Sequence, residues 1–281
     1  MQKNKDELNF VFFGTPDVAS ETLEILKRNG YSPALIVTSP DKPQGRKMIV
    51  TPPPVKIWAE KNNIPYIQPE KLDSKSFKNI PDLFIVVAYG KIIGENILNI
   101  PTLGSINIHY SLLPKYRGAS PVESAILNGD TETGVTIQKM IYKMDAGPIV
   151  AKKEVNILTD EKASELKTRL IKIGGELLVK TLPEFINGKI EEIEQNETEA
   201  TFCKKIKKEN GLIDLNADTI KNYNKFRAYA LWPRSFFFQD GKRIIITDAV
   251  LENNQFIIKK VLPEGKKEIY YTDFVKTNTS K

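Results

Sequence analysis

The chain has 281 residues, of which 41% are hydrophobic and 27% are charged, a composition typical of soluble globular proteins and a length that suits two domains. No apolar run approaches the ~20 residues that span a bilayer, and no small-residue cleavage site follows the first apolar run, so we expect a cytoplasmic protein. One cysteine and one histidine exclude an internal disulfide and argue against a metal site of nitrogen and sulfur ligands.

The net charge of +6 is concentrated near the C-terminus. Residues 201–281 contain 16 Lys and Arg against 9 Asp and Glu, a net charge of +7, and the preceding 200 residues carry a net charge of −1. Two interpretations are open. The C-terminal part is either a lysine-rich solvated surface or a domain whose positive field attracts nucleic-acid phosphates.

The first half of the chain alternates strand-like and helix-like segments. Strands are predicted at 8–14, 33–39, 83–90 and 104–110, and helices at 17–30 and 55–63. Continuous apolar strands separated by helices are typical of an α/β fold with a parallel sheet covered on both faces. Ligands bind such sheets beyond the carboxyl ends of the strands, so we expect residues 14–17, 88–91 and 107–111 to converge on one crevice.

Two adjacent strands, at 133–140 and 147–157, and a long amphipathic helix at 161–188 complete a predicted first domain, residues 1–188. Residues 189–203 are polar and charged, and we interpret them as a linker. The remaining segment, 204–281, contains a short helical stretch and three alternating strands. This pattern predicts a small, basic, β-rich second domain.

The only histidine stands two residues after an asparagine at the end of the fourth predicted strand. Because strand side chains alternate, Asn107 and His109 lie on the same side of the sheet. An amide donor and an imidazole in one crevice suit oxyanion stabilisation and proton handling at a carbonyl centre. The competing interpretation is a buried histidine bonded to a backbone carbonyl. The irregular loop "SLLPKYRG" that follows favours the functional interpretation, because ordered loops often carry function.

An aspartate, Asp145, lies in the turn "KMDAGPIV". It is either a turn-forming residue or a carboxylate that orients His109 or raises its basicity. The sequence alone does not bring these two residues together.

The segment 39–56 is predicted to be a long loop with five prolines, and its basic residues include Lys42, Arg46 and Lys47. Loops of this length are uncommon unless they are functional or disordered. The segment is therefore either a mobile surface excursion or a basic arm for an anionic substrate.

Together these residues resemble the formyltransferases that use 10-formyltetrahydrofolate. Asn107, His109 and Asp145 match the three polar active-site residues of that family, within the blocks "NIHYSLLPKYRG" and "MDAGPI". Inside the family, the chain is most similar to the branch that acts on methionyl-tRNA. The blocks that carry this similarity are "FFGTPDVASETLEIL", "SPVESAILNGDTETGVTIQKM" and "EATFCKKIKKENGLIDL", and it extends over essentially the whole chain.

The resemblance implies a Rossmann-like first domain followed by a small OB-like β-barrel, which this chain shortens by about two strands. It also implies transfer of the formyl group of 10-formyltetrahydrofolate to the α-amino group of initiator methionyl-tRNA, by direct attack through a tetrahedral intermediate and without a metal. Asn107 would donate to the oxyanion, and His109 would polarise the formyl oxygen and manage protons. Asp145 would hold His109 or a bound water.

The resemblance further implies where the two substrates bind. The folate would be held by Ala88, Tyr89, Gly90, Ser111, Leu112, Leu113 and Pro114. The tRNA acceptor stem would be gripped by Lys42, Arg46 and Lys47, and we expect a monomer. The alternative is a sugar-nucleotide N-formyltransferase with the same donor, which the shortened barrel favours, whereas the basic loop and the basic C-terminal part favour tRNA. A non-catalytic nucleic-acid-binding protein is disfavoured by the intact polar residues.

Overall fold

The computed structural model describes residues 7–45, 47–77 and 79–279. The helices of this part of the chain are α1 (Asp17–Arg28), α2 (Pro54–Lys61), α3 (Glu95–Leu98), α4 (Pro121–Leu127), α5 (Ala163–Ile186), α6 (Thr219–Ala228) and α7 (Tyr271–Thr279). Among the described residues, no helix combines the length and the apolar character that a membrane crossing requires.

The described residues contain fifteen strands. They are β1 (Phe10–Gly14), β2 (Leu35–Val37), β3 (Lys42–Gln44), β4 (Ile49–Thr51), β5 (Tyr66–Ile67), β6 (Leu83–Val87), β7 (Ser105–His109), β8 (Arg117–Gly118), β9 (Glu132–Lys139), β10 (Ile149–Asn156), β11 (Phe202–Cys203), β12 (Phe236–Gln239), β13 (Lys242–Glu252), β14 (Gln255–Pro263) and β15 (Ile269–Tyr270). The predicted strands of the first half correspond to β1, β2, β6 and β7.

The chain divides into two compact units that interleave along the sequence. Unit 1 contains the chain up to Arg117, Gly134–Glu154 and Arg169–Thr201. Unit 2 contains Gly118–Thr133, Val155–Thr168 and the chain from Phe202 onward. The domain boundaries drawn from the sequence, with a linker at 189–203, stay a prediction.

A seven-stranded sheet, in the order β10-β9-β7-β6-β1-β2-β5, organises the first part of the chain. The strands from β7 to β5 are parallel, as predicted. Strand β9 joins β7 in the antiparallel direction, so the sheet is mixed. Mixed sheets with an antiparallel margin are common among large α/β proteins, and apolar pattern alone does not report strand direction.

Helices cover the sheet, and one glycine allows an especially close approach. All residues of β1 and β6 are buried, as expected for strands with both faces covered. On α5, a Cβ at Gly174 would lie 3.2 Å from side-chain atoms of both Ile108 and Val135. Helix α5 therefore packs on the apolar face of β7 and β9, and the polar side chains of these strands point to the opposite face.

Unit 2 contains a four-stranded antiparallel sheet in the order β12-β13-β14-β15. Its core includes Ile213, Tyr223, Phe226, Phe237, Ile244, Ile246, Ala249, Ile258, Val261 and Phe274. Helix α4 packs on α6 within this unit. The small β-rich domain is thus confirmed, and the barrel that the resemblance implied takes the form of this small antiparallel sheet.

The predicted loop 39–56 is partly ordered into a hairpin of β3 and β4 that leads into α2. Proline is tolerated here because each strand of an isolated hairpin has a free edge. At the hairpin base, Lys56 Nζ lies 2.7 Å from Asp41 Oδ2. The hairpin residues Met48, Ile49 and Val50 are each more than three-fifths exposed.

Candidate active site

The carboxyl ends of β1, β2 and β6 are joined by side-chain hydrogen bonds. The Thr15 hydroxyl donates to the Tyr89 carbonyl at 2.9 Å and lies 3.0 Å from the Ser39 hydroxyl. The turn after β6 has left-handed backbone at Ala88 (φ 45°) and Gly90 (φ 78°). The predicted convergence of the loops after the first and third predicted strands is therefore observed at this edge.

Polar side chains share one face of β7 and β9. In the antiparallel register, Asn107 lies opposite Gln138 and His109 lies opposite Thr136. Residues that are directly opposite on adjacent strands project to the same face. Gln138 and Thr136 are almost completely buried, and neither was assigned a role from the sequence.

His109 is bound on both sides of its ring. Its Nε2 lies 2.8 Å from the carbonyl oxygen of Tyr116, and a carbonyl only accepts, so Nε2 carries the proton in this bond. Its Nδ1 faces Asp145 Oδ2 at 3.7 Å, beyond hydrogen-bond distance. The bond to a backbone carbonyl is the contact that the competing interpretation of His109 expected, and the contact with Asp145 is the one that the functional interpretation of Asp145 expected. We call Asn107, His109 and Asp145 the polar cluster.

Asp145 reaches this position through a tight turn. Its backbone is left-handed (φ 49°), as is that of Tyr116 (φ 60°), and non-glycine residues in this region are strained and often mark functional sites. Gln138 Nε2 donates to Asp145 Oδ1 at 2.9 Å. This bond fixes one carboxylate oxygen, and the other faces the imidazole.

The loop after β7 is anchored by Thr136. The Thr136 hydroxyl donates to the Ser111 carbonyl at 2.7 Å and accepts from the Leu113 amide at 3.1 Å. Ser111 and Leu113 are buried, whereas Leu112 and Pro114 are half-buried. The loop therefore presents Leu112 and Pro114 toward accessible space on a fixed backbone.

A buried arginine connects the motif after His109 to the turn of Asp145. Arg117 is 1% exposed, and its Nε and Nη2 donate to Gln195 Oε1 at 3.1 and 2.8 Å. Gln195 Nε2 donates to the carbonyls of Asp145 at 2.9 Å and Gly147 at 2.7 Å. From the sequence, Arg117 had no assigned role and Gln195 fell in a predicted linker. No periodicity or spacing links residues so far apart, although Arg117 stands inside a motif that was singled out.

The outer side of the same guanidinium is paired with Glu197. Arg117 Nη2 lies 2.8 Å from Glu197 Oε1, and Lys143 Nζ lies 2.7 Å from Glu197 Oε2. The hydrogen bonds from Arg117 and then from Lys143 lower the pKa of Glu197 to about 2. This carboxylate is half-exposed.

Two of the residues predicted for tRNA, Lys42 and Lys47, lie on the hairpin of β3 and β4. Lys42 and Lys47 are exposed there, and Arg46 lies outside the described residues. The residues of the polar cluster and of the two predicted folate segments all belong to unit 1, as do these lysines.

Comparison with known proteins gives consistent matches. A family model described as formyl transferase matches residues 8–182, and a second, described as formyl transferase, C-terminal domain, matches residues 205–259. A methionyl-tRNA formyltransferase of Thermotoga maritima is 46% identical over 227 residues, covering 79% of this chain and 72% of the relative.

Two solved structures share the fold at lower identity. The methionyl-tRNA formyltransferase of Clostridium thermocellum superposes with a TM-score of 0.59 at 18% identity, covering 94% of this chain and 99% of its own. The N-formyltransferase of Helicobacter canadensis, in complex with folinic acid and dTDP-3-aminofucose, has a TM-score of 0.69 at 20% identity and covers 88% of each chain. At such identities the likeness shows the fold alone.

Proposed function

Since the chain belongs to the methionyl-tRNA formyltransferase family and is a one-carbon transferase, we propose that the polar cluster performs its transfer reaction. The formyl group of 10-formyltetrahydrofolate passes to the α-amino group of initiator methionyl-tRNA. The observation that carries this proposal is the meeting of three polar groups: Asn107 and His109 on one strand, and Asp145 Oδ2 3.7 Å from His109 Nδ1.

In the proposed reaction the amine nitrogen attacks the formyl carbon directly. A C–N bond forms, the carbonyl electron pair moves to oxygen, and the resulting tetrahedral species collapses as the bond to the folate nitrogen breaks. The attacking nitrogen loses a proton and the leaving nitrogen gains one, so the overall step is balanced. The half-buried amide of Asn107 supplies a donor for the oxygen on which charge develops.

His109 and Asp145 would manage the protons. The bond from Nε2 to the Tyr116 carbonyl fixes the ring, which leaves Nδ1 as the nitrogen that can meet a substrate atom or a water. The gap of 3.7 Å between Nδ1 and Asp145 Oδ2 exceeds a hydrogen bond and suits such a third group.

The folate would occupy the edge formed by the turn at Ala88–Gly90 and the loop at Ser111–Pro114. Ala88 and Gly90 are exposed, so their backbone groups are accessible, and the loop offers the apolar surface of Leu112 and Pro114. A flat ring system with hydrogen-bonding edges needs this combination of backbone donors and acceptors with apolar surface. The ring of Tyr89 packs on Phe13 and its carbonyl accepts from the Thr15 hydroxyl, so its amide is the group that would meet the ligand.

The tRNA would be held by positive charge. Lys42 and Lys47 are exposed on the hairpin, Arg46 lies between them in sequence, and residues 201–281 carry a net charge of +7. Phosphates attract such surfaces without base recognition. The monomeric state and the cytoplasmic location complete the proposal and stay predictions from the sequence.

The first experiment compares three acceptors. The protein is incubated with 10-formyltetrahydrofolate and initiator methionyl-tRNA, elongator methionyl-tRNA or an amino-sugar nucleotide, and formylated product is followed by acid gel or chromatography. We expect rapid formylation that is selective for the initiator tRNA. Turnover of the sugar nucleotide without turnover of tRNA would instead assign the chain the alternative acceptor.

A further inference from the structure

We propose that Arg117 is a positioning residue, which acts through Gln195 to hold the turn of Asp145 and thereby sets the carboxylate beside His109. The proposal rests on the roles given to Asp145 and His109 in the proposed function. It extends the site to two residues that lie outside the polar cluster.

The first argument is that the partners of Gln195 allow only one orientation of its side-chain amide. A guanidinium can only donate, so the Gln195 atom that faces Arg117 must be the oxygen. The backbone carbonyls of Asp145 and Gly147 can only accept, so the atom facing them must be the nitrogen. Gln195 therefore has one amide orientation, and its burial keeps water from replacing either set of partners.

The second argument is the backbone strain of the turn. Asp145 has a left-handed backbone without the conformational freedom of glycine, so the surrounding contacts must hold it there. Gln195 bonds the carbonyl of Asp145 itself and that of Gly147 two residues later, which clamps both sides of the turn. Gln138 then fixes the direction of the carboxylate that the turn presents.

The third argument is that Arg117 follows directly after Tyr116, whose carbonyl holds the other side of the imidazole. Its sequence neighbour Tyr116 provides the carbonyl that accepts from His109 Nε2. The amides of Tyr116 and Arg117 both donate to Thr201, at 2.8 Å to Oγ1 and 2.9 Å to the carbonyl. One short segment thus supports both the ring and, through the Arg117 side chain, the carboxylate that faces it.

The test is the substitution Gln195→Glu in the full-length protein. The carboxylate still accepts from Arg117, which preserves the buried pairing, but it cannot donate to the carbonyls of Asp145 and Gly147. We expect kcat of the folded variant to fall about 10- to 100-fold with KM for both substrates little changed, because misplaced catalytic groups lose rate steeply. The melting temperature should also fall, because two buried carbonyls lose their donor. A kcat within about twofold of wild type would overturn the proposal.

A matched control removes the other acceptor of the same guanidinium. Glu197→Gln leaves the path from Arg117 through Gln195 to Asp145 intact, so we expect kcat to stay within about twofold of wild type. A loss equal to that of Gln195→Glu would show that the charge balance of Arg117, and not the position of Asp145, determines the rate. That result would overturn the proposal.

A double-mutant cycle with Asp145→Asn separates positioning from general damage. If Gln195 acts through the Asp145 carboxylate, Gln195→Glu should cost little further rate in the Asp145→Asn background, whereas independent losses multiply. If the two rate losses multiply, the positioning role of Gln195 is overturned, whereas the role of Asp145 in the proposed function is not. Wild-type activity of Asp145→Asn by itself would contradict the role of Asp145 in the proposed function, and the positioning role with it.

A second variant covers the case in which Gln195→Glu does not fold. Arg117→Lys keeps a positive charge but loses the planar fork that bonds Gln195 and Glu197 together. In the folded variant we expect the same pattern, a lower kcat with unchanged KM, and a wild-type kcat would overturn the proposal.

Discussion

At the scale of single residues, Asn107 offers the most direct test of oxyanion stabilisation. It is half-buried on the polar face of β7. We expect Asn107→Ala to lower kcat by ~10²–10³, the usual cost of one oxyanion donor, with a small change in melting temperature. Steady-state formylation kinetics measure the loss. A rate within about tenfold of wild type would assign the donor role elsewhere.

His109 has a structural bond and a proposed catalytic contact, and one substitution can separate them. A glutamine at this position can still donate to the Tyr116 carbonyl, but it has no ionisable nitrogen facing Asp145. We expect His109→Gln to fold and to lose at least ~10²-fold in kcat, as expected for a removed acid–base group. His109→Ala should lose at least as much. Normal turnover by either folded variant would contradict the mechanism.

The lowered pKa of Glu197 predicts that the stability of the protein falls with pH in the acid range. Its pKa is lowered from 4.5 to about 2 by hydrogen bonds from Arg117 and then Lys143. Above pH 4.5 the carboxylate is ionised in both the folded and the unfolded chain, and its pairing stabilises the fold. Below that pH the unfolded chain takes up the proton first, so this stabilisation is lost progressively as the pH falls toward about 2.

The measurement compares the melting temperatures of the wild type and Glu197→Gln as a function of pH. We expect the variant to be less stable by a constant difference from pH 8 to pH 5, and we expect the difference to shrink below about pH 4.5. A difference that is independent of pH down to the acid transition would contradict the assigned pKa.

At the scale of secondary-structure elements, Gly147 sets how closely the turn before β10 approaches the end of β9. A Cβ there would overlap the carbonyl oxygen of Lys139, so the backbone would have to move. We expect Gly147→Ala to destabilise the protein by ~1–3 kcal/mol, as overpacked sites do, and to lower kcat because Gln195 bonds the Gly147 carbonyl.

Gly94→Ala is the matched control for this substitution. Its Cβ would lie near the Asn96 side chain, 2.8 Å from Oδ1, and that side chain can rotate away. Thermal denaturation should therefore separate the two alanine variants. Equal melting temperatures would show that the turn adapts without cost.

The elements also show which features of the fold the sequence can predict. The apolar runs of β1 and β6 and the apolar periodicity of α1 are local signals, and each element forms where it was predicted. The hairpin of β3 and β4 was missed because its prolines are typical of loops. The antiparallel direction of β9 was missed because it depends on a partner about thirty residues earlier in the chain.

The residues of the candidate site also differ in whether local sequence predicts them. That Asn107 and His109 share a face follows from strand alternation, and the structure agrees. Gln195 is 78 residues from Arg117, so only the folded chain brings the two together. Asp145 is intermediate, since the sequence identified its chemistry but not its distance from the imidazole.

At the scale of the whole molecule, the uneven charge predicts a salt effect specific to tRNA. Residues 201–281 have a net charge of +7, and Lys204, Lys205, Lys207 and Lys208 are exposed. We expect log kcat/KM for methionyl-tRNA to fall linearly with log salt concentration, while KM for the folate changes little. Replacing these four lysines by glutamine should reduce the slope by about one unit for each phosphate that the variant no longer neutralises. An unchanged slope would mean that this part of the surface does not contact tRNA.

The interleaving of the two units has a consequence for synthesis of the protein. Helix α4 emerges from the ribosome roughly 90 residues before α6, the helix on which it packs in unit 2. At about 5–20 residues per second, the ribosome needs several seconds to supply α6. During that interval the apolar side chains of Val122, Ala125 and Ile126, which are buried in the finished protein, have no α6 to cover them. An enzyme that acts at the start of translation thus leaves part of its own core uncovered until the last third of its chain is synthesised.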